Sequence, residues 1–288
     1  MIRPFQLHRP TTIAEASATI AELPDAAFYR GGTELLQVMK MGLARFDHLV
    51  DLKRIPELHG ITVQPDGSIR IGGATTHAEI ERSAVVRGSY PALADLERQV
   101  ANPRVRSVGS IGGNLCFAEP HSDLATFLLV ADARLELSGP DRSRTLTVDE
   151  FLLGALETDL APGELLVAII LPAPAHGTAI AYRRIALVER PAASVACRLT
   201  IRDGMAAEAR LAVGSVGERP QLAPAAATIL DGVLRGDLAA AAVAAAASVA
   251  GACDVADEPG TSAEYRRHLV GVLARRAILA AAEAAGDR

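Results

Sequence analysis

Two short stretches of this chain have the composition of anion-binding loops: Arg30-Gly31-Gly32-Thr33-Glu34-Leu35 and Ser110-Ile111-Gly112-Gly113-Asn114. A Gly-Gly pair lets backbone N–H groups come close to an anion with no Cβ in the way, and a helix starting just beyond it adds a favourable dipole, so either could cradle a phosphate. Alone, each is weak, because strand-to-helix junctions use glycines merely to turn the chain. Two such loops can hold a diphosphate between them. After the second come Ser122 and Asp123. Serine and asparagine suit phosphate and polyol oxygens, whereas an ionised Asp123 only accepts and suits sugar hydroxyls.

A Rossmann dinucleotide site is the obvious competitor, since Asp51 ends a strand-like run about 20 residues after the glycines, where a ribose-binding acid would stand. The third glycine is missing, however. Thr33, Glu34, Leu35 and Leu36 follow Gly32, so G-x-G-x-x-G cannot be written here, and Asp51 reads better as a charge at a strand end. The three cysteines, Cys116, Cys197 and Cys253, form no CxxC or Cys/His pairing; they read as reduced thiols, and no metal site is expected. His77 and His121 read as hydrogen-bonding scaffold rather than as acid or base.

A formal net charge of −5 without long like-charge runs offers no basic face, so neither nucleic acid nor an anionic membrane is an expected partner. The first ten residues, MIRPFQLHRP, lack the apolar stretch of a secretory signal. Leu238 to Cys253 is apolar but mainly alanine and too short to span a bilayer, so a cytoplasmic location is expected.

The elements that would position the loops are readable from periodicity. Ile13, Ala16, Ile20 and Leu23 mark a first helix, capped by Thr11 or Thr12. Ala26 to Tyr29 is a short strand before the first glycine turn, and Glu34 to Met41 a helix stopped by Gly42. Ile61 to Val63 and Ser68 to Gly72 flank a Pro-Asp-Gly turn as a hairpin. Thr76 to Ser83 and Tyr90 to Val100 read as helices, whereas Ser107 to Asn114 reads as loop, too glycine-rich for a helix. Asp123 to Val130 is a helix or buried strand, and Ala133 to Ser138 and Glu164 to Leu171 are strands.

Pro172-Ala173-Pro174 marks a boundary that divides residues 1–175 from 176–288. Beyond it, Ala179 to Val188, Ser194 to Arg202 and Ala206 to Val213 predict three antiparallel strands. Three helices follow: Ala225 to Leu234, Leu238 to Ala252, and one opened by Thr261 with Glu264 in capping-box spacing. On the last, Tyr265, Leu269, Val272 and Leu273 form the apolar face, and Arg266, Arg267, Arg275 and Arg276 its solvated side.

The segments Tyr29 to Leu36, Arg104 to Leu115 and Pro120 to Leu124 resemble the FAD-binding medium subunits of the xanthine dehydrogenase and carbon monoxide dehydrogenase family. The two glycine loops lie roughly 80 residues apart, in the family's order. Tyr182-Arg183-Arg184, Val213 to Val216 and Tyr265 to Leu269 carry the likeness through almost the whole chain. The resemblance implies an α+β chain: a two-lobed, PCMH-type FAD-binding domain, then a smaller α+β domain with a three-stranded antiparallel sheet and helices.

The same resemblance implies that Arg30, Gly31, Gly32, Thr33, Glu34 and Leu35 wrap the pyrophosphate of FAD, with Ser110, Gly112, Gly113 and Asn114 opposite. Ser122 and Asp123 would hold ribityl or ribose hydroxyls, Leu166 would pack near the isoalloxazine ring, and Arg183 would approach the flavin, although Arg184 has equal claim. No catalytic residue is implied. The chain would be an oxidoreductase subunit that takes electrons from 2Fe-2S clusters on a small partner and passes them to an external acceptor, NAD, oxygen or a quinone. The molybdenum cofactor would sit on a large partner, and the whole would be a dimer of heterotrimers. The alternatives are a free-standing flavin-dependent oxidoreductase with its own organic substrate, and an assembly subunit that has lost its flavin.

Overall fold

The fold is given by a computed structural model that describes residues 2–140, 142–186 and 190–286. Short apolar strands alternate with helices over the first fifty residues and build a small first lobe. β1 (Gln6–His8), α1 (Ile13–Glu22), β2 (Ala26–Tyr29), α2 (Leu35–Met41) and β3 (His48–Asp51) follow in order, with β1 and β2 both parallel to the central β3. Thr12 caps α1 through the Glu15 amide, and Gly42 closes α2 in the left-handed region at φ 77°.

The second lobe is built on an antiparallel sheet. β4 (Ile61–Val63) and β5 (Ile69–Gly72) form its first hairpin; α3 (His77–Arg82), α4 (Ala84–Ser89), α5 (Pro91–Glu97), α6 (Pro103–Val108), α7 (Ile111–Phe117) and α8 (Asp123–Val130) then cover it. β6 (Arg134–Ser138), β7 (Ser143–Thr147), α9 (Val148–Phe151), the small hairpin β8 (Leu152–Gly154) and β9 (Glu157–Thr158), and β10 (Leu165–Leu171) complete the lobe. The main sheet runs β4-β5-β10-β6-β7. α8 is a helix buried at every residue, which explains why its sequence shows no polar face to tell it from a strand.

β10 is shared by two cores. A bulge between Leu166 and Ala168 interrupts its alternation. Leu166, Ile169 and Leu171 enter the core of the second lobe, while Leu165, Val167 and Ala168 pack with Ala16, Val50 and Leu58 beneath the first. The bulge thereby re-aims neighbouring side chains where the lobes meet.

The C-terminal sheet has four strands, β11 (Thr178–Ala186), β12 (Pro191–Arg202), β13 (Met205–Gly214) and β14 (Gln221–Leu222), in that order, rather than three. The extra edge strand has only two residues, too few to show alternation. Leu187 and Val188, expected to end the first of these strands, lie outside the described residues. α10 (Pro224–Leu230) stops short of Leu234 because the chain turns at Gly232, φ 76°; α12 (Ala263–Gly286) packs on the sheet, and α11 (Leu238–Ala252) packs against α10 and α12. Ser262, not Thr261, caps α12, accepting from the Tyr265 amide at 3.2 Å. Among the described residues, no helix is long and apolar enough to cross a membrane.

One arginine departs from the helical-wheel expectation. Arg267, Arg275 and Arg276 are exposed, but Arg266 is fully buried and Tyr265 is 45% exposed, so the inner face of α12 is turned toward Arg266, Leu269, Val270 and Leu273. Arg266 donates Nε to Ala192 O at 3.1 Å, Nη1 to Ala256 O at 2.6 Å and Nη2 to Ser215 O, and pairs with Glu258 at 2.9 Å. A planar fork of five donors can satisfy carbonyls from three segments at once. Arg266→Ala should lower the unfolding free energy by about 3–5 kcal/mol, because it strands buried carbonyls and a carboxylate. Urea titration checks this; a loss below about 1 kcal/mol would show the site to be solvated.

Candidate functional site

The first glycine loop is held by its own arginine. Arg30 donates Nε to Ala74 O at 2.8 Å and Nη1 to Val108 O at 2.7 Å, so it bridges from the first lobe to two segments of the second. Burial pulls its pKa below the ordinary range, against the opposing influence of Glu79 and Asp51. Gly31 lies so close to Val108 that a β-carbon there would come 2.1 Å from its carbonyl oxygen. Gly32 sits at φ +66°. Beyond it the backbone amides of Gly32, Thr33, Glu34 and Leu35 have no acceptor among the described residues.

The second loop opens a helix, contrary to the expectation from its glycines. Ser110 is the N-cap of α7, its Oγ accepting from the Gly113 amide at 3.2 Å. The cap offsets part of the roughly 1 kcal/mol that each helical glycine costs. Gly112 is required by a contact: its amide donates to Gly73 O at 2.9 Å, and a β-carbon would come 2.5 Å from that oxygen. Gly113 is different. Within 4 Å a β-carbon there would meet only Ser110 Oγ, at 3.0 Å, so this face of the helix is open.

Gly72-Gly73 is a third glycine pair between a strand and a helix, and sequence reasoning passed over it. Gly73 and Ala74 form a wall between the loops: the Gly73 amide donates to Val167 O at 2.7 Å, Ile111 N donates to Thr75 O at 3.1 Å, and a β-carbon at Gly73 would come 2.2 Å from Leu166 O. Its signal was the same strand-glycine-helix pattern that marked the first loop.

These segments enclose a cavity of about 330 Å³ at the junction of the lobes. Arg30, Gly31, Gly32, Thr33, Glu34 and Leu35 line one side and Ser110, Gly112, Gly113 and Asn114 the other, with Leu166 on the β10 wall. His77, Cys116 and Glu164 also line it. Burial raises Glu34 above the usual carboxylate range, against the pull of Arg190. Burial likewise pushes the Cys116 thiol up to about 12. Glu164 is committed to Arg144, at 2.9 and 2.6 Å. Asp51 caps Lys53 N and pairs with its ammonium at 3.3 Å, which accords with its reading as a strand-end charge.

Ser122, Asp123 and Arg183 do not form part of the cavity wall. Ser122 Oγ donates to Asn114 Oδ1 at 2.6 Å, from behind the second loop. Asp123 is buried and accepts from Tyr182 Oη and, at 2.5 Å, from Arg184 Nη1; burial raises its pKa, while Arg184 and Tyr182 oppose the rise. Arg184 is therefore the inward member of the pair, and its Nη2 also reaches Gln99 O at 2.9 Å. Arg183 is exposed and donates to Tyr182 O. His121 joins the same seam, its Nδ1 3.0 Å from Glu119 and its Nε2 2.8 Å from Glu258. A second cavity of about 320 Å³, bounded by Tyr90, Phe127, Pro172 and Arg198, lies away from both glycine loops.

Two opposed backbone cradles in a two-lobed domain, with an α+β domain behind them, line one cavity and are of a kind that can accept an anionic group. Residues 3–174 match the model of the FAD binding domain in molybdopterin dehydrogenase, and residues 175–281 that of the CO dehydrogenase flavoprotein C-terminal domain. The chain is 33% identical over 289 residues to the carbon monoxide dehydrogenase medium chain of Hydrogenophaga pseudoflava, covering 98% of both. It is 31% identical over 299 residues to the xanthine dehydrogenase FAD-binding subunit of Escherichia coli O157:H7, covering 98% of this chain and 97% of that one. Carbon monoxide dehydrogenase from Hydrogenophaga pseudoflava, solved in a form lacking the Mo-pyranopterin moiety, superposes with a TM-score of 0.93 at 32% identity over 99% of both chains. The chain thus belongs to the family of FAD-binding medium subunits of molybdenum hydroxylases, which are oxidoreductases.

Gly31→Ala should cost about 1–3 kcal/mol of stability, since its β-carbon meets backbone rather than a movable side chain. Gly113→Ala should stay within about 1 kcal/mol of the parent; equal losses in urea titrations of the two variants would contradict the division of roles. The bond to Glu119, with help from Glu258, raises the His121 pKa above its ordinary 6.5 despite partial burial. Its stabilisation is fully present below 6.5 and lost as pH rises through the raised value. Unfolding free energy should therefore decline above that pH in the parent more than in His121→Asn; parallel profiles would exclude the effect.

Proposed function

We propose that this chain binds FAD with the diphosphate between the two glycine loops, and that it serves as the electron-transfer subunit of a molybdenum hydroxylase complex. The observation that carries the reading is the run of amides from Gly32 to Leu35 that have no acceptor among the described residues, lining one cavity with the open Gly113 face. Four N–H groups without acceptors suit an anion that lies along the loop. When bound, FAD exchanges electrons singly and in pairs, linking one-electron carriers to a two-electron acceptor.

The protein's part is to bind and orient. Arg30 keeps the loops at fixed separation, Leu166 offers an apolar surface from the β10 wall, and Ser122 orients Asn114. Asp123 and Arg184 hold the C-terminal domain against the flavin domain. The name "medium chain" borne by its relatives fits companions of larger and smaller size. The large one would carry the molybdenum cofactor and the small one the 2Fe-2S clusters, the whole assembling as a dimer of heterotrimers. An external acceptor would take the electrons, and we place the complex in the cytoplasm.

Reconstitution of the purified chain with FAD should give flavin absorption bands that bleach on reduction, with dye-reducing activity only. Turnover of an organic substrate by the chain alone would overturn the subunit reading. Gly113→Asp, which sets a carboxylate against the diphosphate, should lower FAD occupancy at least tenfold in a chain that still folds. Unchanged occupancy would refute the placement of the diphosphate.

A further inference from the structure

His77 begins α3 in the seam between the two glycine loops and is 3% exposed. Its Nδ1 lies 2.8 Å from Oε2 of Glu97, a fully buried residue at the end of α5. With Glu97 as an ionised carboxylate, which only accepts, Nδ1 carries the proton and the pair fixes the ring orientation. Glu97 Oε1 has no partner among the described residues.

The opposite edge of the ring carries the other nitrogen. Nε2 has no hydrogen-bond partner among the described residues, and His77 forms part of the cavity wall. That edge lies against the start of the second loop: a β-carbon at Gly109 would stand 3.1 Å from His77 Cδ2 and 3.4 Å from Nε2. The His77 amide donates to Gly109 O at 3.1 Å, and three residues before it the Ala74 carbonyl receives Arg30. His77, 3% exposed, thus brings to the cavity wall a ring nitrogen without a partner among the described residues.

We propose that His77 is a direct ligand of the cofactor diphosphate, Nε2–H donating to an anionic oxygen while Glu97 fixes the ring from behind. This rests on the FAD reading above. Among the described residues that line the cavity, only Arg30 and His77 can carry positive charge. The Arg30 guanidinium is already engaged with two carbonyls. A bare Nε2 would turn its lone pair on the phosphate, so binding selects the imidazolium, with one proton taken from solvent and the new charge balanced by Glu97 on one side and the anion on the other.

The test is FAD and ADP affinity in the full-length chain, with His77→Leu, His77→Gln and Glu97→Gln. Leucine should weaken both ligands at least tenfold, and glutamine, which can again present an N–H near the Nε2 position, should recover most of that loss. Glu97→Gln should fall between. In the parent, the imidazole ¹⁵N signal of His77 Nε2 should move to the protonated position on adding either ligand, a change that a purely structural His-Glu pair would not show. Undiminished affinity in His77→Leu, a loss for FAD but not ADP, or an Nε2 signal unmoved by ligand would each overturn the assignment. If His77→Leu does not fold, the Nε2 signal of the parent decides. A parent chain that fails to bind FAD at all would instead sink the underlying reading, so the two failures are distinct.

Discussion

Everything at the candidate site hangs on the carbonyl of Val108. Arg30 bonds it from the first lobe at 2.7 Å, and Gly31 lies against it where a β-carbon would come within 2.1 Å. A guanidinium with several donors can hold one carbonyl from the β5–α3 junction and one from the α6–α7 junction, and glycine is the only residue that lets the backbones approach so closely. The geometry of the cradle thus follows from packing between the loops themselves. Gly31 and Gly112 shape the site, and Gly113 is left to face what enters it.

A second constraint lies on the far side of α7. Pro120 to Leu124, which resembles a cofactor motif, is also where the C-terminal domain attaches: Asp123 receives Tyr182 and Arg184, and His121 lies between Glu119 and Glu258, the latter held by the buried Arg266. Asn114, on the cavity wall, is tied to the same segment through Ser122. Movement of the C-terminal domain would therefore reach the second glycine loop through two residues. The segment ties the two domains as well as flanking the site.

The two loops were legible because glycine, serine and asparagine cluster where apolar periodicity breaks, and most helices because their apolar residues recur at helical spacing. What stayed hidden was decided by contacts distant in sequence. The glycines of α7 argue against a helix by propensity, and only the Ser110 cap and the Gly73 carbonyl reverse the balance. Gly72-Gly73 carried the right pattern but sat at the end of an ordinary hairpin. Arg266 looks like its neighbours Arg267 and Arg275 until carbonyls from Ala192, Ser215 and Ala256 converge on it. Arg183 and Arg184 point to opposite sides of one strand, and nothing local in Tyr182-Arg183-Arg184 tells which side Asp123 occupies.

The most direct measurement is a crystal structure of the chain grown with FAD. The account predicts diphosphate oxygens at hydrogen-bonding distance, about 2.7–3.2 Å, from amides of the Gly32 to Leu35 run, with the Gly113 face opposite. An ordered FAD whose diphosphate lies elsewhere, for instance in the cavity beside Tyr90 and Arg198, would contradict it.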